Sequence, residues 1–118
     1  MKKMNPTRAI LTITGSDGTG GSGVQADIRF ISRLGGVAAS AITSITVQNT
    51  LGIQEFYDLP ASIVRQQVEA IINDLQPQVV KLGLLRRIDV VEAVAEVLSH
   101  YRPRHVIHAP LKESAHGE

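Results

Sequence analysis

The chain has 118 residues, no cysteine, and 12 Lys plus Arg against 11 Asp plus Glu. This length suits one small domain with a single core, and the lack of cysteine excludes disulfides and cysteine-ligated metal within the chain. A net charge of +1 and only 3% aromatic residues argue against a nucleic-acid partner. The first apolar run is too short for a signal or membrane segment, so a cytoplasmic, soluble protein is predicted.

A glycine-rich loop lies between the first predicted strand and the first predicted helix. The apolar run at residues 9–14 predicts a buried strand, and a run of glycines follows within residues 15–23. Ser22 and Gln25 have the spacing of a capping box, which predicts a helix that begins there and ends before Gly35. Because glycines let a ligand approach the bare backbone, this loop is predicted to form part of a ligand site.

The rest of the chain alternates between predicted strands and helices. Residues 37–47 are uncharged, which predicts a strand buried on both faces that ends at Gln48. A turn-rich segment at residues 51–59 precedes Pro60, which is predicted to be the first residue of the second helix. Further elements follow: a strand over 79–82, a helix over 89–101 and a strand over 105–108. This alternation indicates βαβ units on a parallel sheet, whose final strand has no following helix, so the chain looks incomplete.

Two well-known uses of a glycine loop do not fit this one. Gly15 and Gly20 have the separation found in a P-loop, but Gly21 stands where the phosphate-binding lysine is required. Residues 18–23 match the dinucleotide pattern, which also requires an acidic residue near the end of the second strand. Residues 28–54 contain no Asp or Glu, so a nicotinamide or flavin cofactor is disfavoured.

Asp27 and Gln48 are polar residues near the loop that are candidates for ligand binding. Asp27 is predicted to lie in the first turn of the helix, where the helix dipole stabilises a carboxylate, and this alone could explain it. A carboxylate only accepts hydrogen bonds, whereas an amide both donates and accepts. Together the two side chains could bind the amino and ring-nitrogen edge of a small heterocycle.

Three stretches of the chain resemble the successive N-terminal motifs of one enzyme family. They are GSDGTGGSGVQAD at residues 15–27, AITSITVQNT at 41–50 and KLGLL at 81–85. In order and spacing they are similar to the hydroxymethylpyrimidine/phosphomethylpyrimidine kinases of thiamin biosynthesis. The resemblance implies a ribokinase-like α/β fold with a mainly parallel sheet, a homodimer, and phosphorylation of an aminopyrimidine and then its monophosphate with ATP and Mg²⁺.

The resemblance also implies roles for four residues. Gly15 would lie against the pyrimidine ring, Asp27 and Gln48 would bind its polar groups, and Leu84 would pack on the ring face where the family commonly has methionine. An ordinary core leucine after a strand is an equally good interpretation of Leu84. Lys81 either offers a cation near a phosphate or extends from a strand edge to solvent, and the second interpretation is preferred.

Family members are longer than this chain, so residues 1–118 are predicted to be the N-terminal, substrate-side half of a single ribokinase-like domain. The ATP site and the catalytic group would lie in the other half, and the 118 residues alone are predicted not to turn over ATP. Ala109 stands where most members have Asp. The histidines are not expected to bind metal. A pyridoxal or pyridoxine kinase, and a non-catalytic pyrimidine-binding or assembly module, remain the alternatives.

Overall fold

The chain folds around a five-stranded sheet, seen in a computed structural model that describes residues 8–108. In chain order the elements are β1 (Ala9–Ser16), α1 (Gly23–Arg33), β2 (Val37–Asn49), β3 (Gly52–Asp58), α2 (Ala61–Leu75), β4 (Val79–Leu82), α3 (Ile88–Tyr101) and β5 (His105–His108). The strands and helices expected from hydrophobic periodicity are all present. One further strand, β3, was not expected.

The strand order is β3-β2-β1-β4-β5, with β1 at the centre. β1 pairs in parallel with β2 and with β4, and β4 pairs in parallel with β5, whereas β2 and β3 are antiparallel. The prediction of a mainly parallel α/β sheet with flanking helices is therefore confirmed. Because parallel strands end at the same edge, the carboxyl ends of β1, β2 and β4 lie next to one another.

Alternate residues of β1 separate the two sides of the sheet. Leu11 and Ile13 are fully buried in the main core, which α2 and α3 cover. Thr12 lies on the opposite side and donates a hydrogen bond to Asp27 of α1. The main core consists of Leu11, Ile13, Ala39, Ala41, Val64, Val68, Ile72, Val80, Leu82, Val90, Val94 and Val97. The glycine loop thus connects the central strand to the helix that covers the second side.

Strand β3 corrects the prediction of a turn-rich segment over residues 51–59. The actual turn is short, and Asn49 Oδ1 accepts a hydrogen bond from Leu51 N–H at 2.9 Å within it. Ile53 and Phe56 belong to residue types that favour strands, and pairing with β2 outweighs the local turn preference. The antiparallel neighbour makes β2 longer than expected, because its last residues have a partner to pair with.

Together β2 and β3 form a ribbon, here defined as residues 45–49 and 52–57, that extends beyond the end of β1. The last β1–β2 pair joins Ser16 to Ile45, while β2 continues to Asn49. Ile45, Val47 and Tyr57 are 47%, 43% and 54% exposed. The prediction that β2 is buried on both faces is therefore wrong at its carboxyl end, where none of the helices within residues 8–108 covers this side of the ribbon.

Two predicted helix starts also differ from the structure. Ser22 occupies the N-cap position of α1 but makes no side-chain capping bond, because its hydroxyl donates to Asp17 instead. Gln25 accepts a hydrogen bond from Asp17 N–H at 2.7 Å rather than completing a capping box. Helix α2 begins at Ala61, with Pro60 in the N-cap position rather than as the first helical residue.

Candidate functional site

The carboxylate of Asp17 organises the glycine loop. It is 4% exposed, and its Oδ1 accepts hydrogen bonds from Thr19 N–H at 2.9 Å and Thr19 Oγ1 at 2.7 Å. Its Oδ2 accepts from Ser22 N–H and Ser22 Oγ, both at 2.8 Å. Burial acts to raise the pKa of Asp17, but the hydrogen bonds from Thr19 and Ser22 outweigh it, so the pKa is lowered from 3.8. The carboxyl group is therefore held ionised.

This arrangement leaves the loop unsuited to hold phosphate. A phosphate-binding loop presents free backbone N–H groups to the anion. Here the N–H groups of Thr19 and Ser22 are bonded to a carboxylate, and Gly20 N–H donates to the backbone oxygen of Asp17 at 2.9 Å. A buried negative charge at the centre of the loop would also repel a phosphate. The loop gives a geometric reason, in addition to the missing lysine, against a P-loop.

Two glycines of the loop are required by close packing. Gly23 has φ +65°, and a Cβ built on it would lie 2.5 Å from the backbone oxygen of Gly15. A Cβ on Gly15 would lie 2.8 Å from Ser44 Oγ on β2. By contrast, a Cβ on Gly18 would meet no atom within 4 Å. The start of α1 is therefore packed directly against the end of β1, and Gly15 of β1 lies close to Ser44 of β2.

Asp27 lies on the side of α1 that faces the sheet, and it forms an ion pair with Lys81 of β4. Its other oxygen accepts a hydrogen bond from Thr12 Oγ1 at 2.6 Å. The side chains of Asp27 and Lys81 are 13% and 32% exposed. The first turn of α1 contains no acidic residue, so the prediction that Asp27 lies there is wrong. Its stabilising partner is a cation on the sheet rather than the helix dipole.

Lys81 had been expected to extend from a strand edge to solvent. Instead β4 is the direct neighbour of β1, and Lys81 pairs in register with Thr12. Both side chains reach Asp27, so three elements are joined at one carboxylate. Sequence reasoning missed this contact because it joins residues 54 positions apart. Only the β1–β4 register brings them together.

Gln48 lies at the end of β2, beyond an irregularity in the β2–β3 register. The hydroxyl of Thr46 lies 2.5 Å from Gln48 Oε1 and 2.5 Å from the backbone oxygen of Ser16. This hydroxyl links the side chain of Gln48 to the end of β1, next to Gly15. Within residues 8–108 the Nε2 group of Gln48 has no hydrogen-bond partner, so the amide retains its donors.

Leu84 follows β4 on the other side of β1. Gly83 N–H donates to the backbone oxygen of Ile13 at 2.9 Å, which places the next residue at the end of the central strand. Leu84 is 40% exposed, whereas Leu85 packs against the main core. The interpretation of Leu84 as an ordinary core leucine is therefore wrong. It is an apolar side chain available at the carboxyl edge of the sheet.

Arg86 is a residue of this region that sequence reasoning missed. Its Nε donates to Asp58 Oδ1 at 2.8 Å, and its guanidinium carbon lies 3.8 Å from the centre of the Phe56 ring. Both partners belong to β3, the far edge strand, which was not expected to exist. The only signal in the sequence was a basic residue shortly after a strand, and that signal does not identify a partner.

The structure thus places three of the four predicted site residues at one edge. Gly15, Gln48 and Leu84 lie at the carboxyl ends of β1, β2 and β4, while Asp27 lies nearer the middle of the strands on the α1 side. Residues 8–108 contain no group of three or more His, Cys, Asp or Glu side chains that could hold a metal ion, and no helix long and apolar enough to cross a membrane. Ala109 lies outside the described residues.

Comparison with known proteins gives matches over most of the chain. Residues 17–118 match the phosphomethylpyrimidine kinase family. The hydroxymethylpyrimidine/phosphomethylpyrimidine kinase of Mycobacterium leprae (strain TN) is 45% identical over 87 residues, which is 74% of this chain and 31% of that protein. The chain spans 37% and 39% of the corresponding kinases of Bacillus subtilis and Escherichia coli.

Two solved structures have the same fold. The phosphomethylpyrimidine kinase of Clostridium difficile 630 is 37% identical with a TM-score of 0.87, over 93% of this chain and 48% of that chain. An ADP complex of Bacillus subtilis pyridoxal kinase is 25% identical with a TM-score of 0.82, over 89% of this chain and 40% of that chain. The predicted ribokinase-like fold is confirmed. The family match includes most of the glycine loop and the strands that carry Gln48 and Lys81, and the chain belongs to the phosphomethylpyrimidine kinase family.

Proposed function

We propose that this chain supplies the pyrimidine-binding part of a hydroxymethylpyrimidine/phosphomethylpyrimidine kinase. The enzyme would phosphorylate the hydroxymethyl group of the aminopyrimidine, and then its monophosphate, in thiamin biosynthesis. The observation that carries this proposal is the convergence of Gly15, Gln48 and Leu84 at the carboxyl ends of three neighbouring strands. Open α/β sheets bind their ligands at this edge.

The exposed groups at this edge suit a flat aminopyrimidine. The Nε2 group of Gln48 can donate to a ring nitrogen, while its Oε1 retains a lone pair beside the Thr46 hydroxyl for an exocyclic amine. The 40% exposed side chain of Leu84 offers an apolar surface for the ring face. Gly15 lets β1 and β2 approach closely at this edge, because a side chain there would meet Ser44. Polar groups would thus orient the ligand, and apolar contact would exclude water around it.

Asp27 is also part of the proposed pyrimidine site, although its carboxylate already has partners within the protein. Each of its oxygens already accepts one hydrogen bond, from Thr12 and from Lys81, and each retains a lone pair for a ligand donor. Because Lys81 balances its charge, a neutral amine would meet no isolated anion. We propose that Asp27 contributes to pyrimidine binding as an acceptor, from a position whose orientation Thr12 and Lys81 fix.

ATP and Mg²⁺ are implied by membership of a kinase family, but the described residues do not fit either group. The loop amides of Thr19 and Ser22 are occupied by Asp17, and no carboxylate cluster is available for the metal within residues 8–108. Phosphoryl transfer depends on neutralising charge around the transferred group. We therefore expect the 118 residues alone to bind pyrimidine without turning over ATP. A cytoplasmic homodimer remains part of the same proposal.

Calorimetric titration with hydroxymethylpyrimidine tests the site. Gln48→Ala should weaken binding by about tenfold, because a ligand hydrogen bond in a shielded site contributes about 1.5 kcal/mol. Gln54→Ala is the matched control, since Gln54 is an exposed amide on β3 that makes no hydrogen bond within residues 8–108. Equal affinities for the Gln48 variant and the wild type would contradict the assigned role of Gln48.

The pyridoxal kinase alternative rests on the fold likeness to the Bacillus subtilis pyridoxal kinase structure. Titration with pyridoxal under the same conditions separates the two substrates, and tighter binding of pyridoxal than of the pyrimidine would favour this alternative. If the protein is a non-catalytic module, it should bind the pyrimidine, and its complete coding sequence should add no ATP site. Reading the coding sequence beyond codon 118 distinguishes it from the kinase.

A further inference from the structure

We propose that Arg86 is a positioning residue that holds the segment between β4 and α3 across the open carboxyl edge of the sheet. This segment, residues 83–87, is called the crossing segment below. By fixing the outer end of the segment, Arg86 would set the position of Leu84 at the ligand site. The effect on the ligand rests on the proposed function, whereas the effect on the position of Leu84 does not.

The topology shows how far the crossing segment reaches. It leaves β4, which is separated from β3 by β1 and β2 in the strand order. At about 4.8 Å between neighbouring strands, the distance from β4 to β3 is roughly 14 Å. Arg86 nevertheless contacts two β3 residues, Phe56 and Asp58. The segment and the arginine side chain together must therefore pass the end of β1, where Gly15 lies, and cross β2 at the level of Ser44, the partner of Asp58.

Two kinds of contact hold the guanidinium on β3. Nε donates to Asp58 Oδ1 at 2.8 Å, and Nη2 donates to Asp58 Oδ2 at 3.4 Å. The planar group also lies over the Phe56 ring, 3.8 Å from its centre. Paired hydrogen bonds and stacking define both the direction and the plane of an arginine, which a lysine ammonium would not do. The side chains of Arg86 and Asp58 are 33% and 22% exposed, so solvent screens the pair only in part.

Leu84 lies within the crossing segment, and contacts hold the segment in place on both sides of it. On its amino-terminal side, Gly83 N–H is bonded to Ile13. On its carboxyl-terminal side, Leu85 packs on the core and Arg86 reaches β3. The segment has no helical or strand structure of its own, so these contacts decide its path. Losing the Arg86 contacts would free the outer end and increase the motion of the Leu84 side chain.

The neighbouring Arg87 offers a matched control. It is an exposed arginine of the same segment, and its guanidinium pairs with Asp89 at the start of α3, at 3.0 Å, rather than with β3. Removing it changes the net charge as much as removing Arg86 does. It leaves the contacts across the carboxyl edge intact.

Methyl NMR without ligand provides the first test. In Arg86→Ala the Leu84 methyl groups should shift and their order parameters should fall, whereas Arg87→Ala should leave both as in the wild type. Arg86→Lys should restore the values only in part, because lysine cannot make the paired hydrogen bonds. Circular dichroism confirms that each variant is folded. Unchanged Leu84 methyl signals in folded Arg86→Ala would overturn the proposal.

Calorimetry with hydroxymethylpyrimidine provides the second test. Arg86→Ala and Asp58→Ala should each weaken binding by about fivefold to tenfold, and the double variant should be no weaker than either one. Arg87→Ala should bind within about twofold of the wild type. Wild-type affinity in Arg86→Ala would overturn the effect on the ligand. If the wild type binds no pyrimidine, the proposed function fails, while the methyl signals still decide the role of Arg86.

Discussion

The glycine loop and the β2–β3 ribbon lie on either side of the same edge but are stabilised in different ways. In the loop, the buried carboxylate of Asp17 satisfies the polar groups around it, and glycines allow backbone to pack on backbone. The ribbon extends into solvent with Ile45, Val47 and Tyr57 exposed. Its contact with the crossing segment is made by Arg86, whose guanidinium lies over the ring of Phe56. The comparison indicates that one side of the site is closely packed around a buried charge, whereas the other side presents exposed apolar side chains.

Gly23→Ala should have the largest effect on stability, because it tests how closely the loop is packed. The new Cβ would combine a left-handed φ of +65° with a contact 2.5 Å from the Gly15 oxygen. We expect a loss of about 3 kcal/mol in the free energy of unfolding, measured by urea denaturation. Gly18→Ala, which meets open space, should lose less than about 1 kcal/mol. A loss for Gly23→Ala as small as that for Gly18→Ala would show that the loop is not closely packed.

Asp17→Ala should have the next largest effect, a loss of about 2 kcal/mol in the free energy of unfolding, because the N–H groups of Thr19 and Ser22 lose the acceptor that the buried Asp17 carboxylate provides. The lowered pKa of Asp17 also predicts a pH dependence. The ionised carboxylate stabilises the fold above the unfolded pKa near 3.8, and this contribution disappears as the pH falls through the lower folded pKa.

Urea denaturation between pH 5 and pH 2, a window set by the reference carboxyl values near 4, measures this dependence. Asp17→Asn should flatten the decrease in stability at low pH. The pKa of Asp89 is also lowered, by the hydrogen bond from Arg87, so Asp89→Asn serves as the control for an exposed carboxylate. An acid profile of Asp17→Asn identical to that of the wild type would contradict the proposed role of Asp17.

Lys81→Met tests the ion pair between β4 and α1. It should lower the free energy of unfolding by about 1–2 kcal/mol, because it leaves the partly buried Asp27 without its cation. Combining it with Asp27→Asn should cost less than the sum of the two single changes, since the double variant leaves no unpaired charge. A double-mutant cycle by urea denaturation measures this coupling. Additive losses would mean that the ion pair contributes nothing to stability.

Val47→Thr should have the smallest effect, below about 0.5 kcal/mol, because Val47 is 43% exposed on the uncovered side of the ribbon. Val80→Thr provides the contrast, since Val80 is fully buried in the main core and the added hydroxyl would lack a partner. Thermal unfolding of both variants checks the difference. A large loss for Val47→Thr would show that the ribbon is covered in solution, and sedimentation would then reveal whether a second copy covers it.

Much of the fold and part of the site could be predicted from local patterns. The apolar run of β1, the glycine loop and the periodic helices were predicted because side-chain alternation and helical spacing are local properties. The motifs around Gly15, Gln48 and Leu84 placed three residues at one edge because parallel strands end together. Local patterns failed at β3, whose strand character depends on its neighbour, and at Ser22, which serves Asp17 rather than a capping box.

The sequence by itself determined the alternation of strands and helices, the family, and the identity of the loop that joins β1 to α1. Only the tertiary structure decided which distant residues meet. Asp27 and Lys81 are 54 positions apart, and Asp58 and Arg86 are 28 positions apart. Both contacts follow from the strand order, which places β4 beside β1 and β3 at the far edge. Strand order depends on the packing of the whole sheet, so the spacing of apolar residues along the chain does not determine it.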